Sequence, residues 1–181
     1  MFIWIPGEVI AFLTFPGVII HEIAHRFFCD LFNVSVVEIN YFRPLDKTAG
    51  HVRHVATDNF WVSFLIGIAP FLINTIICMI LTFPMGVKFY WGTAFLESPS
   101  ASVAILGLIL FWVGFSIGFN AIPSKQDMSG LWDKAHSRTA KCLLILATIF
   151  FWPFNIPGAG PLLSAGYAFL LSMVLPALLL G

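Results

Sequence analysis

The sequence predicts an all-α integral membrane protein of about five transmembrane helices, with a short β-hairpin on the membrane surface after the first. Three observations carry this. The 181 residues are 59% hydrophobic and 10% charged, with a mean hydropathy of +0.94, far outside the range of soluble domains. Apolar windows of the length a bilayer demands fall at roughly 7–31, 60–83, 101–120, 138–154 and 161–180. The charges are also one-sided: if the connectors alternate, Arg26, Arg43, Lys47, Arg53, Lys125, Lys134, Arg138 and Lys141 share one side, and only Lys88 falls on the other. The positive-inside rule makes the basic side cytoplasmic, with the N-terminus outside and the C-terminus inside.

The zero net charge excludes a global basic field for nucleic acid. Cys29, Cys78 and Cys142 are scattered through apolar runs and read as reduced thiols, with neither a disulfide framework nor a CxxC pair.

Pro6 and Gly7 suit the start of the first window, Pro16 is expected to kink it, and Asp30, Phe32 and Asn33 sit at its exit. Met1 to Ala24 holds no Lys or Arg, so the positive region of a cleavable signal is missing and the span is expected to stay in the mature protein. Asn33 to Asn59 is polar enough to leave hydrocarbon. There Ser35, Val37, Ile39 and Tyr41 alternate with Val36, Glu38 and Asn40, and Arg43-Pro44-Leu45-Asp46-Lys47 supplies turn chemistry. A second extended run, Gly50 to Thr57, completes a hairpin expected at about 34–57, an unpaired loop being the alternative.

The second window carries Pro70 and, one turn on, Asn74, which either glues helices together or faces a cavity. Pro84 to Ser100 is a connector with Lys88, Glu97 and the interfacial aromatics Tyr90 and Trp91. The third window ends at Asn120, and Pro123 breaks it ahead of Asp127. Irregular backbone at that depth is tolerated only where protein or a cavity receives it. After the polar stretch Trp132 to Lys141, two closing helices flank Asn155-Ile156-Pro157-Gly158-Ala159-Gly160, and Ser164, Ala165, Gly166 and Ala168 permit close packing in the last. The chain thus divides into a core over residues 1–133 and two supporting helices over 134–181.

His21-Glu22-Ile23-Ala24-His25 carries the chemistry. On a helix, histidines four apart share a face, so both imidazoles reach one metal ion with Glu22 beside it. Ionisable groups inside an apolar span are expensive and by default mark function. A catalytic zinc takes three protein ligands and a water, so His21 and His25 need a third partner. Asp127 is the best candidate, with His51, His54 and His136 as alternatives on the same membrane face. Glu22 is placed to act as general base, Asn74 or Asn120 to stabilise an oxyanion, and Gly17, Gly67 and Gly118 to leave room for a cavity.

This combination resembles the site-2 proteases, intramembrane zinc metalloproteases, over roughly residues 7–133: HEIAH in one helix, Pro70 to Asn74 in the next, and Asn120-x-x-Pro123 followed by Asp127. The resemblance implies a three-helix core with His21, His25 and Asp127 as zinc ligands, Glu22 as acid/base, and Asn74 and Asn120 near the substrate, a membrane-spanning or membrane-associated protein cut near the cytoplasmic side. It also implies that the hairpin holds substrate as an added strand. Where the family has Leu-Asp-Gly, this chain has Gln126-Asp127-Met128, with Asn and Asp one residue closer together. Two rival readings use the same residues: a metal transporter or chaperone, which gains nothing from Glu22, and a non-catalytic relative that holds membrane proteins.

Overall fold

The computed structural model describes residues 6–44, 49–90 and 100–180. The turn residues Leu45, Asp46 and Lys47, the connector residues Trp91 and Glu97, and the side chain of Tyr90 lie outside the described residues. The chain is mostly helical. Three helices are long and apolar enough to cross a membrane, or four if the bent first pair counts as one span.

That pair replaces the single helix expected over 7–31. α1 (Gly7–Leu13) and α2 (Phe15–Leu31) meet at Thr14 at an angle of 88°. Pro16 lies in the first turn of α2, where its missing N–H costs nothing, so the expected kink is a complete break two residues earlier. The break is held from outside: the Thr14 carbonyl accepts from Ser116 Oγ at 2.8 Å and from Asn120 Nδ2 at 3.3 Å.

Beyond α2, β1 (Val36–Asn40) pairs antiparallel with β2 (His51–His54), within the expected 34–57. The register sets Glu38 opposite Arg53 and Asn40 opposite His51, and a bulge at Val37 interrupts the alternation that the sequence shows there.

α3 (Phe60–Tyr90) is the hub, in contact with α2, α4 and the last helices. Its 31 residues extend about 46 Å, past the roughly 30 Å of bilayer hydrocarbon. α4 (Ala101–Phe119) starts at Ser100, whose side chain accepts from the Val103 N–H, and ends where Asn120 caps it. The stub α5 (Leu131–Lys134) and α6 (Arg138–Phe151) share a core with the start of α3, made by Phe60, Phe64, Leu131, Ala135, Ala140 and Leu144.

The closing region departs from five alternating spans. α6 has 14 residues, about 21 Å, which is short of a crossing. Pro153 begins a 3-10 turn that ends it, and α7 (Ala159–Phe169) then continues through a π-helical turn, Leu170–Val174, into α8 (Leu175–Leu180). Tyr167 bonds Thr75 at 2.7 Å, Ser172 meets Cys78 at 3.7 Å, and Pro176 abuts Gly86. Residue numbers rise together along both partners, so α7–α8 runs parallel to α3, whereas alternation requires the last span to be antiparallel to the second. The end of α8 therefore lies beside the far end of α3, away from the hairpin.

Candidate metal centre

Gly17, His21 and His25 form one stripe of α2, turned towards α4 and α3. Gly17 is required by contact, because a Cβ there would sit 2.0 Å from the Ser116 carbonyl oxygen. The two helices consequently approach backbone to backbone, and His21 Nδ1 reaches the Asn120 carbonyl at 2.8 Å. On the other flank, His25 Nδ1 reaches the Ile66 carbonyl at 2.9 Å.

Those two contacts fix the tautomers. A carbonyl only accepts, so each Nδ1 carries a proton, and in the neutral imidazole each Nε2 then presents a lone pair. The two Nε2 atoms face one another at 3.3 Å. Asp127 Oδ1 lies 3.3 Å from His25 Nε2, and Oδ2 lies 3.5 Å from His21 Nε2. Two such lone pairs and a carboxylate at these separations repel unless a proton or a metal ion sits among them. Among the described residues this is the one cluster of metal-ligating groups, with the donor atoms within 4.8 Å of one another.

Asp127 arrives through a turn after Pro123. Its Oδ2 accepts from the Ser124 N–H at 2.6 Å, and Ser124 Oγ accepts from the Asp127 N–H at 3.3 Å. The turn packs onto α3 at Gly67, where a Cβ would lie 2.7 Å from the Asp127 carbonyl oxygen. Gly67 therefore admits backbone and brings the carboxylate to the histidines despite the shortened spacing. Gly118 likewise makes room for protein, since a Cβ there would meet Cys78 Sγ at 2.6 Å.

Of the alternative ligands, His51 pairs with Glu38 at 3.3 Å, His54 Nδ1 contacts the Val55 carbonyl at 3.0 Å, and His136 is exposed. Asn74 is fully buried, with Nδ2 donating to the carbonyls of Asn120 at 3.1 Å and Ile117 at 3.4 Å. Asn120 spends its own amide on Thr14 and Ser116. Both amide groups are engaged with backbone, and the Asn120 carbonyl is shared between Asn74 and His21. Among the described residues, Asn74 Oδ1 is the one buried side-chain polar atom without a partner.

A cavity of about 630 Å³ opens over the cluster. Glu22, only 7% exposed, lines it and has no hydrogen-bond partner among the described residues, so its carboxylate is uncommitted. The hairpin closes over it: a Cβ on Gly50 would fall 2.8 Å from Glu22 Cγ. Phe154, Asn155, Gly160 and Ser164 also line the cavity, so the closing segment contributes wall as well as support. Gly50, Ser124 and Ile66 also build the site, although none of them carries a metal-ligating or catalytic group. A backbone carbonyl has no signature in sequence, whereas Gly50 at the start of an extended run was a readable sign of close approach.

No family model matches this chain, no curated protein matches it, and no solved structure matches its fold.

Proposed function

We propose that the protein is an intramembrane zinc metalloendopeptidase that hydrolyses peptide bonds of membrane-spanning or membrane-associated proteins near the cytoplasmic side of a cell membrane. The observation that carries this is the convergence of three lone-pair donors, His21 Nε2, His25 Nε2 and Asp127, beside an uncommitted Glu22 in a cavity. Three corners of a tetrahedron around zinc, with ligands at about 2.0–2.1 Å, stand about 3.3–3.4 Å apart. The two Nε2 atoms stand 3.3 Å apart and the Asp127 carboxylate faces both, Oδ1 at 3.3 Å from His25 and Oδ2 at 3.5 Å from His21, so either oxygen could complete such a set.

Zinc held there supplies a Lewis acid that polarises the scissile carbonyl and makes a water acidic near neutral pH. Glu22 takes the proton from the attacking water and returns it to the leaving amine. The Nδ1 bonds to Asn120 and Ile66 keep both imidazoles oriented and electron-rich. The hairpin, lying against Glu22 at Gly50, offers a strand edge on which a substrate backbone can be held extended. The basic residues of the hairpin and of the segment after α4 favour a cytoplasmic position for this face.

Glu22→Gln tests the reading. With detergent-purified protein and a panel of single-span membrane proteins, the variant should keep its zinc while cleavage falls about 100-fold or more. Cleavage at the wild-type rate would remove Glu22 from the reaction. Zinc retained without cleavage by either protein would favour a metal carrier.

A further inference from the structure

α5 is four residues long and is fixed by Leu131, which is 1% exposed in the cluster with Phe60 and Phe64. Gly130, with φ of 70°, turns the chain into it. Three residues after Leu131, on the same helical face, Lys134 reaches the cavity, and its Nζ donates to Ser63 Oγ at 3.0 Å. The buried Ser63 hydroxyl donates its own proton to the Thr57 carbonyl at 3.3 Å, so it offers the ammonium a lone pair. Ser63 lies one turn of α3 from Ile66, whose carbonyl holds His25. Lys134 is thus pinned to a residue one turn of α3 from the one that holds His25.

Arg53 and the hairpin histidines of the cavity wall already have partners. Arg53 and His51 both meet Glu38 at 3.3 Å, and His54 meets the Val55 carbonyl. Among the described residues no carboxylate stands within ion-pair distance of Lys134. An ammonium has three donors and Ser63 uses one, which leaves two for a group in the cavity. A cation taken partly out of water and held by a neutral hydroxyl is half of a charge-assisted pair.

We propose that Lys134 determines specificity: its ammonium receives a carboxylate of the substrate, either an acidic side chain near the cleaved bond or the free carboxylate at the substrate's C-terminus. As a statement about substrates this rests on the proteolytic reading, whereas the carboxylate site itself does not. Binding and cleavage are therefore measured separately.

The binding test uses full-length Glu22→Gln protein in detergent and three fluorescent peptides of one apolar sequence: a C-terminal amide, the same amide with a central Asp, and the free C-terminal acid. One acidic form should bind about tenfold more tightly than the neutral amide, and adding Lys134→Gln should cut that advantage below about twofold. The acidic form that wins identifies the source of the carboxylate. Lys134→Arg keeps the charge and should keep the preference, which guards against a Gln variant that merely folds poorly. Equal affinity for all three peptides, or an undiminished preference in Lys134→Gln, overturns the proposal. Incubation of the winning peptide with wild-type protein then tests proteolysis alone: intact peptide with the preference preserved counts against the protease and leaves the carboxylate site standing.

Discussion

At the scale of single residues, the site depends on backbone carbonyls as much as on side chains. The Asn120 carbonyl holds His21 and is itself held by Asn74, so Asn74 is linked to the His21 ring through a shared carbonyl. The alternatives written into the sequence, helix glue or oxyanion donor, give different kinetics. A positioning role predicts that Asn74→Ala weakens zinc binding about 10- to 100-fold, the usual effect of losing such a support. Competition with a fluorescent chelator measures this directly. Unchanged zinc affinity with a reduced kcat would instead return Asn74 to the oxyanion role. The convergence of His21 and His25 was legible from their spacing of four, and that of Asp127 from the helix break at Pro123. The partners of the histidine Nδ1 atoms were not, because any residue supplies a carbonyl.

At the scale of elements, the hairpin carries its own electrostatic clasp. The hydrogen bond from His51, followed by that from Arg53, holds the Glu38 carboxyl below its ordinary value of 4.5. A depressed carboxylate stabilises the folded hairpin fully above its unfolded value, and that contribution is lost as pH falls through the lowered one. Hydrogen-exchange protection of the β1 and β2 amides should therefore hold at about pH 6 and decline below about pH 4, with Glu38→Gln abolishing the difference. Protection that is independent of pH in wild type would show that the clasp contributes nothing. The strands were readable from alternation and turn residues. The bulge at Val37 was not, since the sequence alternates through it and the extra residue is set by pairing.

Across the whole molecule, hydropathy located the apolar segments but not their directions. The window at 138–154 read as a crossing because it was weighed by length and composition alone, whereas that at 161–180 is long and apolar enough to be one. In the fold, α6 ends after 14 residues at a proline turn, and α7–α8 follows α3 in the same direction. Parallel packing predicts that a C-terminal tag lies on the same side as Ser100 and opposite Lys125. Single cysteines at these two positions, labelled with an impermeant maleimide in sealed vesicles, test this against tag accessibility. Shared exposure of the tag and position 125 would restore the alternating arrangement.

The central claim is a closed His21–His25–Asp127 set, which makes every later step of the chemistry available. Zinc content per chain, measured in purified wild-type protein beside Asp127→Ala and His25→Ala, tests it most directly. Wild-type protein should hold about one zinc per chain, and both variants should lose most of it. Wild-type protein without zinc, or zinc undiminished in both variants, would contradict it.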